Sequence, residues 1–336
     1  MLLSLIVLAI ELGSPGQLFQ QPQLARGQGT VGLTFGSGGA VMFAASADGG
    51  KTFGPPVTVS RDPVVKAMVG RHRGPRLAMT PPAMVITAIR GGELLAWRSI
   101  DKGKTWSAKP VRVNDVAQAA REGLHGVASL PDGTLAAAWL DLREKSMRLY
   151  SSVSKDGGAT WSKNVLAYAS PDGHICECCH PTLVGDAQGN LHLMWRNWVG
   201  GSRDMYLATS RDGGKTFEKA SKLGDGTWPL QACPMDGGGV AVDEAGAVTT
   251  VWRRDKTVYL ASPGRSERSV GDGRDPAIGA AGRGVWVAWT QAGSVMAWSA
   301  TSLDARKVGP GGYPVLLGSL LAYEREGRIV VEDLRR

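Results

Sequence analysis

The sequence predicts an all-β fold, a closed β-propeller of four-stranded antiparallel blades, with seven blades preferred and six the alternative. Three observations carry this. Four segments share the pattern Ser-x-Asp-x-Gly-x-Thr-aromatic: Ser46–Phe53, Ser99–Trp106, Ser154–Trp161 and Ser210–Phe217, whose serines are 53, 55 and 56 residues apart. A tryptophan recurs at matching points of short apolar runs, at Trp139, Trp195, Trp252 and Trp289. The chain holds 46 glycines in 336 residues, enough for tight turns between many short strands. A fixed period of this length marks a repeat architecture, so the length requires no second domain.

Each repeat reads as a strand, a glycine turn, a second strand, a third strand and then the Asp-bearing turn. The second strands are Val31–Phe35, Met84–Ile89, Leu135–Leu140, Leu191–Trp195, Val248–Trp252 and Val285–Trp289. Matching turns precede three of them, at Pro131–Thr134, Asp186–Asn190 and Asp243–Gly246. In the Asp-bearing turns, Asp48, Asp101, Asp156 and Asp212 can accept backbone N–H groups, glycine supplies positive φ, and the Ser and Thr hydroxyls close the loop. The aromatic is expected to tuck under the sheet as an anchor. Beyond the fourth turn, Thr257–Ser262 and Ser294–Ser299 read as third strands that have lost it. Pro314–Gly318, Ser319–Glu324 and Arg328–Asp333 form a last unit, which brings the third strands to seven. That unit lacks a fourth strand, and Gln17–Leu24 is expected to supply it and close the ring.

Charged residues make up 20% of the chain and hydrophobic residues 43%, which excludes disorder and allows a large core. The net charge of +8 favours an anionic partner, a glycan or a small anion. The Lys and Arg residues are scattered and form no polybasic run, so no specific nucleic acid is expected. Leu2–Ile10 has the length of a signal-peptide apolar core and is too short to span a bilayer, although no basic residue precedes Arg26. Residues 1–15 are therefore read as an N-terminal apolar segment and 16–336 as one propeller domain. The chain is expected to be secreted or periplasmic, monomeric and without a transmembrane span. A buried N-terminal strand is the alternative for the apolar run.

In such a ring, the loops joining strand 4 to the next strand 1, and strand 2 to strand 3, open on one face. The Asp-bearing turns lie on the other. The first face collects Arg71-His72-Arg73, His125, Asp141 with Arg143, His174 to His180, Arg196 and Trp228 to Asp236, together with Arg253. Four of the five histidines and all four cysteines fall there. Arg73, His125, Arg143, Arg196 and Arg253 are the candidate ligand-binding residues. Asp141, Glu177, Asp236 and Tyr313 are candidate acids or nucleophiles, although no motif names any of them. For each arginine taken singly, an ordinary surface contact explains it as well. His192 sits within a strand, where packing explains it.

The repeated turn resembles the Asp box, or BNR repeat, of sialidase-like propellers. In that superfamily the box is structural and lies away from the active site. Catalytic sialidases hold the substrate carboxylate with three arginines and use an Asp acid/base and a Tyr nucleophile assisted by Glu. Their first arginine lies in an Arg-Ile-Pro motif before the first box, where this chain has only Arg26-Gly-Gln. Seven blades also depart from the six of catalytic sialidases. The resemblance therefore implies the fold, and implies little or no sialidase activity.

Cys176, Cys178 and Cys179 lie within four residues, and Cys233 is on the matching loop of the next repeat. In an exported protein disulfides are the default, and four cysteines allow three pairings. Thiolates with His174 or His180 would alternatively suit Zn or Cu(I). Cys176 to His180 also matches the C-x-x-C-H haem-attachment pattern, with no second haem signal to support it. No cofactor is called for beyond a Zn or Cu ion at this cluster. Three functions follow from the sequence: an exported propeller that binds or processes an anionic carbohydrate at an axial pocket, as a glycoside hydrolase-like protein if it is an enzyme; a non-catalytic interaction or assembly propeller; and a metal- or redox-linked protein centred on the cysteines.

Overall fold

The computed structural model describes residues 9–14, 16–62 and 67–336. Every strand belongs to one of seven four-stranded antiparallel sheets, and no helix occurs among the described residues. Blade 1 comprises Phe19–Gly27, Thr30–Ser37, Ala40–Ser46 and Val57–Ser60. Blades 2 to 6 begin at Arg76, His125, Thr182, Gly238 and Arg274 and repeat the same up-and-down order. Blade 7 is built from Gly312–Leu317, Leu320–Arg325, Arg328–Asp333 and Ile10–Leu12.

Seven blades are thus present, and the closure differs from the sequence expectation. Ile10–Leu12, not Gln17–Leu24, is the fourth strand of blade 7, pairing Ile10 with Val331 and Leu12 with Ile329. Glu11 adds ion pairs to Arg325 and Arg328. Residues 17–24 instead run into the innermost strand of blade 1, where Phe19 and Leu24 are buried. The physical reason is register: the stretch alternates buried and half-buried positions and pairs with Thr30–Ser37, which an outer edge strand would not do. The propeller therefore starts before residue 16. The rest of the apolar N-terminal run, residues 2–8, lies outside the described residues.

The second strands read as nearly unbroken apolar runs because neighbouring blades cover both of their faces. Leu135–Asp141 and Leu191–Arg196 are buried at every position. Trp139, Trp195, Trp252 and Trp289 are all buried. The fourth strands are short and exposed, as at Val111–Arg112 and Ser221–Lys222.

All four Asp boxes occupy equivalent positions, each starting on the last residue of a third strand. The carboxylate organises the turn. Asp101 Oδ1 accepts from the Ser99 hydroxyl at 2.8 Å and from Thr105 N–H at 2.9 Å, and Oδ2 accepts from the Thr105 hydroxyl at 2.6 Å. The Ser99 Oγ in turn accepts from Gly103 N–H at 2.8 Å. The boxes of Asp48, Asp156 and Asp212 reproduce this pattern. The aromatics Phe53, Trp106, Trp161 and Phe217 are half-buried, each flanking a core cluster rather than sitting inside it.

These hydrogen bonds have a consequence for acid stability. The Thr105 hydroxyl, then Thr105 N–H and the Ser99 hydroxyl, hold the Asp101 carboxyl down at about 2. Slight burial opposes the fall at Asp156 and Asp212, yet the same donors bring both to about 2, and Asp48 is lowered as well. A carboxylate whose pKa is depressed by folding contributes stability above its unfolded value and loses it as the pH falls through the folded value. The melting temperature is therefore expected to drop between about pH 4 and about pH 2, more steeply in the parent chain than in Asp101→Asn. A profile of equal slope in both, measured by circular dichroism, would contradict this role for the box.

Candidate functional site

The first strands of the blades line an axial cavity of about 200 Å³, which opens on the face of the strand 4–1 loops, opposite the Asp boxes. Its wall includes Gln21 and Gln23 of blade 1, His72 and Arg76 at blade 2, His180 and Thr182 at blade 4, Asp275 of blade 6 and Tyr313 of blade 7.

The local backbone explains how these side chains reach the axis. Gln21, Asp275 and Tyr313 have φ of 56°, 55° and 52°, and each precedes a proline. Each also sits where the first strand slips register against the second, between Gln20 and Gln23, Arg274 and Ala277, and Gly312 and Val315. Positive φ in a non-glycine residue costs about 1–3 kcal/mol and persists only where the surroundings impose it, which is a mark of functional sites. Three such bulges on the adjacent blades 6, 7 and 1 re-aim three polar side chains into one cavity.

The central contact is His72 Nε2 to Asp275 Oδ1 at 2.9 Å. The His72 ring stacks on His180 with centroids 4.5 Å apart and meets Tyr313 edge-on at 5.5 Å. Burial, then the neighbouring His72 and Arg76, push His180 well below the usual histidine range, so its ring is neutral at pH 7. Burial, then Asp275 and Glu324, push the Tyr313 phenol up, so it remains a proton donor. Arg76 stands on the same wall. Its guanidinium donates to carbonyls only, to His72 O at 2.8 Å and Pro75 O at 3.4 Å, and pairs with no carboxylate among the described residues. Burial lowers it to about 10, which leaves it cationic at neutral pH.

The candidate residues from the sequence divide sharply. Tyr313 lines the cavity. Arg143 is consumed by Asp141 and Asp115, and lies over the Tyr150 ring. Asp141 is buried between Arg143 and the Trp139 indole N–H, which donates at 2.7 Å. Arg73 donates to Glu122 O at 2.7 Å. His125 is buried against the Thr87 hydroxyl, and burial, then Arg76, pulls it down to about 3. Glu177 is exposed beside the cysteines. Arg196 and Arg253 do converge, as their position after the repeated Trp suggested, but onto Asp236, at 3.5 and 2.7 Å, and over the Trp228 ring. Both guanidinium charges are met by that carboxylate. Asp236 has a supporting role instead: its Oδ2 accepts from the Asp275 N–H at 3.3 Å and so braces the strained residue that holds His72. His192 is packed between Asp186 and Thr209.

Sequence reasoning missed His72, Arg76, His180 and Asp275 as a set. One signal was present. An X-Pro pair stands at the head of five first strands, at Gln21-Pro22, Gly74-Pro75, His180-Pro181, Asp275-Pro276 and Tyr313-Pro314. Four of those five X residues face the axial cavity.

The cysteines form a separate cluster outside the cavity wall. The sulfurs of Cys176 and Cys179 are 3.2 Å apart and those of Cys176 and Cys178 3.7 Å apart, and all three residues are buried. All four cysteines are free thiols, so no disulfide occurs among the described residues. Neither histidine joins them. His180 faces the cavity, and His174 packs beside Trp198.

Comparison with known proteins agrees with this architecture. Residues 83–237 match the family model of the BNR repeat-like domain. No curated protein matches the sequence significantly. Among solved structures, the chain is similar to virginiamycin B lyase from Staphylococcus aureus, with 14% identity, TM-score 0.59 and coverage of 97% of this chain and 99% of that one. It is also similar to a PL25 polysaccharide lyase, an ulvan lyase bound to -[GlcA(1-4)Rha3S]-, with 9% identity, TM-score 0.58 and coverage of 97% and 96%. A third likeness is to the leech intramolecular trans-sialidase, with 14% identity, TM-score 0.56 and coverage of 95% of this chain and 65% of that one. At these identities the likeness speaks for the fold. The chain is a seven-bladed propeller with four Asp-box turns, and residues 83–237 match the model of the BNR repeat-like domain.

Proposed function

We propose that the axial cavity binds an anionic carbohydrate and cleaves it by elimination next to a carboxylate. The observation that carries the reading is Arg76, a cation on the cavity wall with no carboxylate partner among the described residues. A half-buried cation of this kind gains most from an anionic group that enters and pairs with it. The planar guanidinium suits a carboxylate, which it can bind through two N–H groups.

The surrounding groups favour elimination over hydrolysis. Hydrolysis with two carboxyl groups needs both of them facing the glycosidic bond. Here Asp275 is engaged by His72, and Glu324 accepts from Gln21 N–H and from the Gln21 amide, at 2.7 and 3.0 Å. Elimination needs a base for the C–H beside the carboxylate, a cation to stabilise the negative charge that develops there, and an acid for the leaving oxygen. His72, oriented by Asp275, serves as the base, Arg76 as the cation and the Tyr313 phenol as the acid. A polysaccharide lyase and a trans-sialidase among the similar folds are consistent with a carbohydrate ligand. Export belongs to the same reading and rests on the apolar residues 2–8 that precede the closing strand Ile10–Leu12.

The test is a panel of uronate-containing oligosaccharides, sialyllactose and neutral oligosaccharides. Binding is measured by calorimetry, and turnover by the ultraviolet absorbance of an unsaturated product. The expected result is preference for the uronates with an unsaturated product, and little sialoside hydrolysis. Uronate binding without turnover would favour an interaction propeller. Equal affinity for neutral sugars would refute the anionic reading.

A further inference from the structure

The cysteine cluster stands apart from the axial cavity and is not used in the proposed reaction. We propose that Cys176, Cys178 and Cys179 form a binding site for one thiophilic d¹⁰ ion, Zn²⁺ or Cu⁺, and that the exposed Cys233 is the thiol through which the ion enters.

Four observations meet in this site. First, three sulfurs converge on one point. They all lie within 4.8 Å of one another, and two of the separations are 3.7 and 3.2 Å. A metal with sulfur bonds of about 2.3 Å sets its sulfurs about 3.8 Å apart in a tetrahedron, so small shifts bring the three into register. A disulfide would use two of these sulfurs and leave the third buried against it. Second, the donors are soft. Three thiolates with no oxygen or imidazole among them select Zn²⁺ or Cu⁺ over hard cations.

Third, the site has charge compensation. The Arg203 guanidinium donates through Nη1 to Cys176 Sγ at 3.1 Å. Arg203 is itself fixed, with Nε donating to Leu230 O at 3.0 Å and the guanidinium stacked over Trp198 at 4.5 Å. A buried cation hydrogen-bonded to one sulfur offsets the excess negative charge of three thiolates on a mono- or divalent ion, and such outer partners tune metal affinity. Fourth, there is a route in. Cys233 is exposed and sits on the equivalent loop of the next blade. An ion captured there can pass to the buried sulfurs by thiolate exchange, each newly bound thiol releasing its proton to water. Four thiolates including Cys233 would complete the tetrahedron that Zn²⁺ prefers, whereas the three buried sulfurs alone suit trigonal Cu⁺.

The full chain is reduced, freed of metal and titrated anaerobically, with Zn²⁺ against a chromophoric chelator and with Cu⁺ against bathocuproine disulfonate. The expected result is one ion per chain for at least one of the two metals. Loading should protect Cys176, Cys178 and Cys179 from alkylation. Arg203→Gln, which removes no ligand, is expected to weaken the affinity by about 10- to 100-fold with the stoichiometry kept. If Cys233→Ser lowers the Zn²⁺ affinity, the site is four-coordinate; if it slows only the loading, the site is three-coordinate with Cys233 as the port. The proposal is overturned if the reduced chain, folded by circular dichroism, holds neither ion against the chelators. It is equally overturned if protein taken from an oxidising compartment carries a Cys176–Cys179 disulfide and no metal. Neither result bears on the uronate assay, because the axial cavity contains none of these sulfurs.

Discussion

Arg76→Met is expected to weaken binding of an anionic oligosaccharide by about 2–4 kcal/mol, roughly 30- to 1000-fold in Kd, while affinity for a neutral sugar stays within about twofold. The size follows from what the substitution leaves behind. The ligand carboxylate would enter a half-buried wall with no cation to meet it, and an ion transferred without its partner costs several kcal/mol. Arg76→Lys keeps the charge and loses the planar fork, so an intermediate loss is expected. The substitution also removes the hydrogen bond to His72 O, so the melting temperature must be compared in parallel. A drop in affinity shared equally by neutral sugars would mean that the loop carrying His72 had collapsed. Unchanged affinity for the anionic ligand in a folded variant would remove the central support for the proposed function.

Gly158→Ala is expected to destabilise the fold by about 2–5 kcal/mol. The fifth residue of each Asp box packs against the preceding blade. A Cβ on Gly158 would come 2.7 Å from Val85 Cγ2 of blade 2, and one on Gly214 would come 2.8 Å from Val153 Cγ1 of blade 3. The φ of Gly158 is +84°, so alanine pays about 1–2 kcal/mol for the backbone and a further 1–3 kcal/mol for overpacking. Gly213→Ala is the control. Gly213 has φ of +71° with nothing within 4 Å of its Cβ, so only the backbone cost of about 1 kcal/mol applies. The second box already has Lys102 at that place, with φ of 61°. Denaturant melts giving equal losses for the two variants would show that the box is a turn device alone and does not clasp neighbouring blades.

The Asp boxes were legible as turns because their geometry is local. Asp101 finds its partners Ser99 and Thr105, and Ser99 its partner Gly103, within four residues, so sequence spacing is also spatial spacing. Their second role, the contact of Gly158 with Val85 across a blade interface, involves residues far apart in sequence and leaves no mark beyond a conspicuous glycine. The candidate site shows the same divide. Arg143, Arg196 and Arg253 stood out because they follow repeated strand ends. The same regularity places them beside Asp141 and Asp236, and those acids take up their charge.

By itself the sequence determined the strand pattern, the four boxes and the face that gathers histidine and cysteine, and it favoured seven units over six. Period, glycine turns and apolar runs are properties of neighbouring residues. Only the tertiary structure decided which strand closes the ring, because Ile10–Leu12 and Gln17–Leu24 are both plausible edges until register is fixed against Arg328–Asp333 and Thr30–Ser37. Only closure brought His72 to Asp275 across 203 residues, and only closure left Arg76 without an acid while other cations found theirs. A site at a propeller axis is assembled from one or two residues of each blade. No short stretch contains enough of it to be read, and the charge balance that exposes Arg76 exists only once all seven first strands face one another.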